Sequence, residues 1–213
     1  MQSWGIGSRF TDRFSEAEPT KSGVLGLICN ALGRARADNI DDLIDLTMAI
    51  RVDREGQIVY DYHTALDVLR AEAKDKITKS NLETVISRRF FISDACFLVG
   101  LEKNETILLE KIISALKTPK WPLFLGRKSF PSSAPICLTD EPIKKPLLEV
   151  MKTYPWQGRP KDQPPEVLRL VYECKFGEGE PRLDVPISFK FREYRTRYVA
   201  TEFIPFKPLS LEE

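Results

Sequence analysis

Residues 47–62 have the sequence TMAIRVDREGQIVYDY, in which two runs of strand-forming residues flank a turn signal. The first run covers residues 47–52 and the second covers residues 57–62. Between them, Asp-Arg-Glu-Gly is the short, glycine-containing link that is typical of a β-hairpin. The sequence therefore predicts two neighbouring antiparallel strands in this region.

Helical and strand patterns alternate around this segment. Residues 22–32 have apolar side chains at helical spacing and stop before Gly33, and residues 106–116 repeat that pattern. Residues 90–101 form an apolar run typical of one strand. Short helices are predicted at 41–46 and 146–151, and further strands at 167–174, 187–192 and 197–204. This order indicates an α+β fold with a mostly antiparallel sheet, and it fits a ferredoxin-like body that lacks one strand at its front.

The composition is that of an ordinary globular protein. The chain has 213 residues, of which 42% are hydrophobic and 30% are charged. No apolar run approaches the ~20 residues that a membrane-spanning helix needs, and no basic-then-apolar signal segment opens the chain. We therefore expect a cytoplasmic protein with no membrane partner.

The charge balance limits how this chain could bind nucleic acid. With 32 basic and 31 acidic residues, the net charge is +1, whereas a free-standing nucleic-acid binder usually has a large basic excess. An RNA-binding role would therefore depend on a local basic patch, or on an assembly that supplies more charge.

The four cysteines, Cys29, Cys96, Cys137 and Cys174, are far apart and form no C-x-x-C pair, so we expect small core residues and no disulfide or zinc site.

The loop at residues 119–131, PKWPLFLGRKSFP, has the local chemistry of an RNA contact. Gly126 lets another backbone approach closely because it has no Cβ. Arg127, Lys128 and Ser129 can donate to phosphate oxygens, and Phe130 or Trp121 offers a ring for base stacking. A solvated turn between two strands is the alternative.

Residues 65–87 differ in character from the rest of the chain. Their centre, residues 71–80, has the sequence AEAKDKITKS, which is charged and contributes little to a core. We predict that this segment, which includes Lys76, is an insertion projecting from a body made of residues 1–64 and 88–213.

Other cations stand at positions where an anion could bind. Lys21 and Ser22 precede the first predicted helix, where backbone N–H groups and the helix dipole favour an anion, although Ser22 could be a plain cap. Arg9 and Arg13 lie in a loop rich in glycine and serine, and Arg88 and Arg89 follow the insertion, where one of the two could be an ordinary surface charge.

Five segments, taken in this order, resemble the CasD family. They are MQSWG at 1–5, PTKSGVLGL at 19–27, DYHT at 61–64, SDACF at 93–97 and LGRKS at 125–129, and the likeness continues to FREY at 191–194. This family, in the RAMP superfamily, is the subunit of the type I-E CRISPR surveillance complex, Cascade, that holds the 5′ handle of the guide RNA (crRNA).

The resemblance implies an architecture and a set of partners. The family has a ferredoxin-like palm that holds the handle and an extended thumb that wedges against the guide where handle meets spacer. Its neighbours are the backbone subunit of the filament and the large subunit, and its link to target DNA is indirect. In this subtype another subunit cuts the precursor RNA, so the resemblance implies no enzyme, no cofactor and no metal.

In the family, an apolar strand and a short Gly-Pro turn precede the Met-Gln-x-Trp-Gly motif, whereas this sequence begins at that motif. The absent piece would be a central strand, and losing a central strand exposes the edges of its neighbours. We therefore expect an in-frame apolar strand upstream of Met1 in the genome.

The resulting site prediction contains RNA-binding residues and no catalytic or metal-binding residue. The RNA-binding candidates are Arg9, Arg13, Lys21, Ser22, His63, Lys76, Arg88, Arg127, Lys128 and Ser129.

Two other functions remain open. One is a metal-independent endoribonuclease that processes precursor crRNA, with His63 as general acid or base, Tyr60 or Tyr62 nearby and Lys128 steadying the phosphorane. Because the chain has one histidine, it cannot form a two-histidine acid/base pair, and this disfavours the endoribonuclease function. The other is a bridge that joins two proteins without reading RNA.

Overall fold

The structure is a computed structural model that describes residues 1–5, 11–68 and 82–206. Four helices and eight strands lie in the described residues. They are β1 (Asp12–Arg13), α1 (Lys21–Leu32), α2 (Asp41–Ile44), β2 (Thr47–Arg54), β3 (Gln57–Val68), β4 (Glu83–Ser93), β5 (Cys96–Glu102), α3 (Thr106–Lys117), α4 (Leu147–Thr153), β6 (Val167–Cys174), β7 (Glu180–Ser188) and β8 (Glu193–Pro205). The fold is α+β, as the sequence predicts.

The strands form two sheets. The larger sheet has the strand order β5-β2-β6-β8-β7 and is antiparallel throughout. The smaller sheet has the order β1-β4-β3, with β3 and β4 antiparallel and the two-residue β1 parallel to β4. The predicted mostly antiparallel arrangement is therefore confirmed.

The predicted hairpin at residues 47–62 is wrong. Strand β2 pairs with β5 and β6, whereas β3 pairs with β4, so the two runs belong to different sheets. Strand β3 continues from β2 along one side of the ribbon, and β5 continues from β4 along the other. The four strands therefore form one long two-stranded ribbon that bends at residues 54–57. The turn signal marks this bend instead of a chain reversal.

Two features of the backbone produce the bend. A Cβ on Gly56 would lie 2.4 Å from Ile92 Cγ2 and 2.5 Å from the Ser93 carbonyl oxygen, so the strands approach here only because residue 56 is glycine. On the opposite strand, Asp94 has a φ of 61° and separates β4 from β5. The single strand predicted at residues 90–101 is therefore two strands.

The larger sheet is covered on both faces. On one face α1 and α3 pack through apolar residues, which are Val24, Leu25, Ile28, Leu108 and Ile112, against Met48 and Ile50 of β2. On the other face Leu147 and Met151 of α4 pack against Ala49, Leu98, Leu168 and Leu170. A strand covered on both sides reads as a continuous apolar run, which explains the nearly uniform burial of β2.

A fully buried arginine ties α4 to β2. The Arg51 guanidinium donates to the Asp53 carboxylate at 2.6 and 2.9 Å and to the carbonyl oxygens of Met151, Tyr154 and Pro155. Because its charge is paired and its donors are satisfied, the cost of burying it is largely offset.

Three of the four cysteines, Cys96, Cys137 and Cys174, are only partly buried and are less core-like than predicted; Cys29 is buried, which raises its pKa to about 11.

Candidate nucleic-acid interface

The smaller sheet has two unlike faces, which follow from the alternation of side chains along β3 and β4. Residues directly opposite one another in an antiparallel pair share a face. The pairs Asp61–Arg89 and His63–Ser87 therefore lie on one face, and Tyr60–Phe90 and Tyr62–Arg88 lie on the other. Strand β1 adds Arg13 beside Arg89 and Asp12 beside Arg88.

The first of these, which we term the cationic face, brings three arginines together. Arg13 and Arg89 come from paired strands, and Arg127 comes from the loop after α3. Burial lowers the pKa of Arg127, the charges of Arg89 and Arg13 lower it further, and Asp61 acts in the opposite direction. Arginine stays protonated in proteins, so three permanent cations converge here with one carboxylate. Such an excess of like charge favours binding of an anion.

The loop that presents Arg127 is fixed by the chain's own N-terminal segment. The Ser3 N–H donates to the Leu125 carbonyl at 3.0 Å, and a Cβ on Gly126, whose φ is 85°, would lie 1.6 Å from the Ser3 carbonyl oxygen. The prediction that Gly126 admits a close backbone is confirmed, and that backbone belongs to Ser3. The glycine therefore lets the loop lie directly against the N-terminal segment.

Arg127 itself is held in place by two contacts. Its Nη2 donates to the Phe90 carbonyl oxygen at 2.7 Å, and its guanidinium lies over the Phe130 ring at 5.6 Å. Phe130 is buried against Phe91, so the prediction that its ring could stack on a base is wrong; Trp121, the other residue considered for stacking, is exposed. The next two predicted residues, Lys128 and Ser129, are exposed on the loop.

Lys21 requires a correction. It is 3% exposed, its Nζ lies 3.0 Å from the Glu173 carboxylate, and its backbone N–H donates to Asp184 at 2.8 Å. Burial lowers its pKa, and Glu173 acts in the opposite direction. The N-terminus of α1 thus already holds a carboxylate of its own chain, and neither the ammonium nor the helix end is open to a phosphate.

Ser22 does not cap α1. Thr20 is the cap, and its side-chain oxygen accepts from the Gly23 N–H at 3.2 Å, while the Ser22 hydroxyl lies 3.3 Å from that of Thr20. The prediction that Ser22 is a plain cap is therefore wrong, whereas its contact with a phosphate stays a prediction.

The remaining predicted residues divide between the two faces. His63 lies on the cationic face opposite Ser87, whose hydroxyl accepts from Arg89 Nε at 3.2 Å. Arg88 lies on the other face and donates to Asp12 at 2.9 Å. Arg9 and Lys76 lie outside the described residues.

Sequence reasoning considered Arg88 and Arg89 together and selected Arg88, whereas the structure places Arg89 on the cationic face. Arg88 and Arg89 are adjacent and chemically identical, so composition cannot separate them, but strand alternation can. Position 89 shares the parity of Phe91, which packs against the Phe130 loop, so a strand assignment with correct register would have selected it.

Among the described residues, no group of three or more His, Cys, Asp and Glu side chains is placed to hold a metal ion. Within the same residues, no helix has the length and apolar character that crossing a membrane requires. The four cysteines are free thiols.

Comparison with known proteins agrees with the resemblance seen in the sequence. The model of the family described as CRISPR-associated protein (Cas_Cas5) matches residues 1–201. This chain therefore belongs to the CRISPR-associated Cas5 family. It is 29% identical over 212 residues to the CRISPR system Cascade subunit CasD of Escherichia coli (strain K12), a match that covers 91% of this chain and 90% of that protein.

Solved structures extend the comparison to three dimensions. A structure described as "Crystal structure of Cas protein" is 40% identical with a TM-score of 0.75, covering 96% of this chain and 90% of that one. A chain of a structure described as "CRISPR RNA-guided surveillance complex" is 28% identical with a TM-score of 0.78, covering 96% of this chain and 86% of that one. The resemblance to the CasD family is thus confirmed.

Proposed function

We propose that this protein is a non-catalytic RNA-binding subunit of a Cascade-type CRISPR surveillance complex, in which it holds the 5′ handle of the crRNA for antiviral defence. The observation that carries this proposal is the convergence of Arg13, Arg89 and Arg127 on one face of the smaller sheet with a single carboxylate nearby. Membership of the Cas5 family and the likeness to CasD give the RNA its identity.

The arginine cluster suits a single strand of RNA. Guanidinium groups donate to phosphate oxygens in pairs, and an unpaired strand bends to follow a short row of cations. Lys128 and Ser129 are exposed on the same loop as Arg127, and His63 lies on the same face of β3 as Asp61. Because the net charge of the chain is only +1, RNA binding depends on a local patch such as this one, or on an assembly that supplies more charge.

The endoribonuclease alternative is disfavoured by the register of β3. His63 lies on the cationic face, whereas Tyr60 and Tyr62 point to the opposite face. A general acid and base must both reach one scissile phosphate, and a sheet separates these groups. The one histidine of the chain therefore lacks the tyrosine partners that the cleavage mechanism assigned to it.

The ribbon of β3 and β4 is the part of the protein that we assign to the thumb of a ferredoxin-like palm. The insertion predicted at residues 65–87 is described at 65–68 and 82–87, which are the outer ends of these strands. Residues 69–81, with Lys74, Lys76, Ile77 and Lys79, lie outside the described residues. We expect this arm to lie across the guide where the handle meets the spacer.

One experiment separates the three candidate functions. Purified protein is incubated with repeat RNA, with and without a chelator, and both retention and cleavage are measured for the wild type and for His63→Ala. Retention without cleavage, unchanged by the substitution, is the expected result. Cleavage that persists in chelator and is lost in His63→Ala would establish the endoribonuclease, and absence of both retention and cleavage would establish the bridge.

A further inference from the structure

Asp61 stands among the three arginines of the cationic face without forming an ion pair with any of them. It lies opposite Arg89 in the register of β3 and β4, and its charge acts on the nearby Arg127 guanidinium. Both arginines donate elsewhere, since Arg89 Nε donates to the Ser87 hydroxyl at 3.2 Å and Arg127 Nη2 donates to the Phe90 carbonyl oxygen at 2.7 Å. The Asp61 side chain is exposed, and it makes no hydrogen bond or ion pair with another residue that the structure describes.

An open carboxylate is out of place in a site that binds only phosphates. It weakens the attraction of the cluster for every phosphate, because like charges repel. On the opposite face of the same sheet, Asp12 is instead paired with Arg88 at 2.9 Å. An ionised carboxylate has no hydrogen to donate and two oxygens that accept. The Asp61 carboxylate is therefore suited to a part of the RNA strand that donates hydrogen bonds.

The four bases differ in the donors that they offer. A base in an unpaired strand shows its Watson–Crick edge to the protein. On that edge guanine has two neighbouring donors, N1–H and N2–H, which match the two oxygens of one carboxylate in a bidentate pair. Adenine and cytosine each place a ring-nitrogen acceptor beside the amino donor, and uracil places its N3–H between two carbonyl acceptors. The ribose 2′-hydroxyl offers a single donor, so guanine is the best partner for a free carboxylate.

We propose that Asp61 makes this site selective for a base: its carboxylate accepts from N1–H and N2–H of an unpaired guanine, while Arg13, Arg89 and Arg127 hold the neighbouring phosphates. The proposal rests on the proposed function, because it concerns the same RNA site. The arginines then provide affinity for any RNA strand, and the carboxylate provides discrimination. Asp61 lowers the affinity of every strand, and guanine alone restores it through two hydrogen bonds to a charged acceptor.

Replacing guanine by inosine, which lacks the N2 amino group, tests the proposal. The affinity of the full chain is measured for repeat RNA and for versions of it in which each guanine in turn is inosine. At one position we expect inosine to weaken binding to the wild type about tenfold, the effect of losing one hydrogen bond to a charged group. Asp61→Asn, which replaces one acceptor oxygen by a donor of the same size, should bind guanine and inosine at that position equally. Asp12→Asn, an acidic residue of the opposite face, is the matched control and should keep the tenfold discrimination.

A purely electrostatic role of Asp61 predicts a different result. Asp61→Asn would then raise the affinity for all of these RNAs by the same factor and leave the ratio between guanine and inosine unchanged, which would overturn the proposal. Wild-type binding that is insensitive to inosine at every position would overturn it as well. So would a loss of discrimination against a single 2′-deoxynucleotide, in place of inosine, in Asp61→Asn, because the ribose hydroxyl would then be the partner.

Failure of the proposed function has its own signature in the same experiment. If the wild type does not retain repeat RNA, both proposals fall together. If the wild type retains the RNA and Arg89→Ala weakens retention, but inosine has no effect, the proposed function stands and the selectivity of Asp61 is refuted.

Discussion

Two clusters of charge in this protein contain residues that the sequence marks as anion-binding candidates, and they differ in balance. At the start of α1, Lys21 and Arg197 meet Glu173 and Asp184, so two cations face two carboxylates. On the smaller sheet, Arg13, Arg89 and Arg127 meet Asp61. The first cluster is neutral and buried, whereas the second has an excess of positive charge near the surface. Charge balance, more than the presence of cations, separates an internal support from a ligand site.

Breaking the neutral cluster should have the largest effect. Asp184→Asn removes one of the two carboxylate partners of Arg197 and weakens the acceptor of the Lys21 N–H, so that two buried cations face one remaining carboxylate, that of Glu173. We expect the free energy of unfolding, measured by urea denaturation, to fall by about 3–5 kcal/mol. Asp45→Asn, which breaks an exposed pair with Arg195, is the control and should cost less than about 1 kcal/mol. Equal losses of unfolding free energy in the two variants would show that the buried pair Arg197–Asp184 stabilises the protein no more than the exposed pair Arg195–Asp45.

Disturbing the loop of the cationic cluster should have a smaller effect on stability. Gly126→Ala places a Cβ against the Ser3 carbonyl at a positive φ, and we expect a loss of about 1–3 kcal/mol in denaturation. Gly177→Ala is the matched control, because its φ is 83° and no atom lies within 4 Å of the added Cβ. If the two variants lose the same free energy of unfolding, the loss in Gly126→Ala comes from the positive φ alone, and the clash with the Ser3 carbonyl adds nothing to it.

A third charge cluster, again buried, allows a pH test of the same idea. Glu18 meets Arg169 and Arg182; burial acts to raise its pKa, but the two arginines outweigh burial and hold it below the usual 4.5. A carboxyl whose folded pKa is depressed stabilises the protein above its unfolded pKa, and this contribution is lost as pH falls through the folded pKa. Glu18→Gln should therefore destabilise the protein at pH 7 and much less at pH 3. A loss of unfolding free energy that is the same at pH 7 and at pH 3 would contradict the depressed pKa of Glu18.

Local patterns predicted most of the elements, and tertiary pairing escaped them. The strand predicted at residues 187–192 is wrong, because β7 ends at Ser188 and residues 189–192 form the turn into β8. The strand at 167–174 and the helices at 106–117 and 21–32 follow directly from periodicity and from a terminal glycine. The Asp-Arg-Glu-Gly signal was misread because a glycine that permits a tight turn also permits a bend between two sheets, and only the partner strand shows which occurs. A buried Arg51 in an apolar run gives no local sign of the carbonyl groups that surround it.

The candidate site was predictable in part for the same reason. Arg127 could be found from its loop chemistry and from the family resemblance, which also placed Lys128 and Ser129. Lys21 lies in an equally characteristic motif, yet its partner Glu173 is 152 positions away, and no local pattern shows that pairing. Arg89 required the register of a strand whose partner is β3.

The most direct test of the central claim uses the adjacent residues Arg88 and Arg89. Affinity for repeat RNA is measured as a function of salt concentration for Arg89→Ala and Arg88→Ala. We expect Arg89→Ala to weaken binding and to reduce the slope of log K against log salt by about 0.7, the value for one phosphate contact on a single strand. Arg88→Ala, on the opposite face and paired with Asp12, should leave both unchanged. Equal behaviour of the two variants would contradict the assignment of RNA to the cationic face.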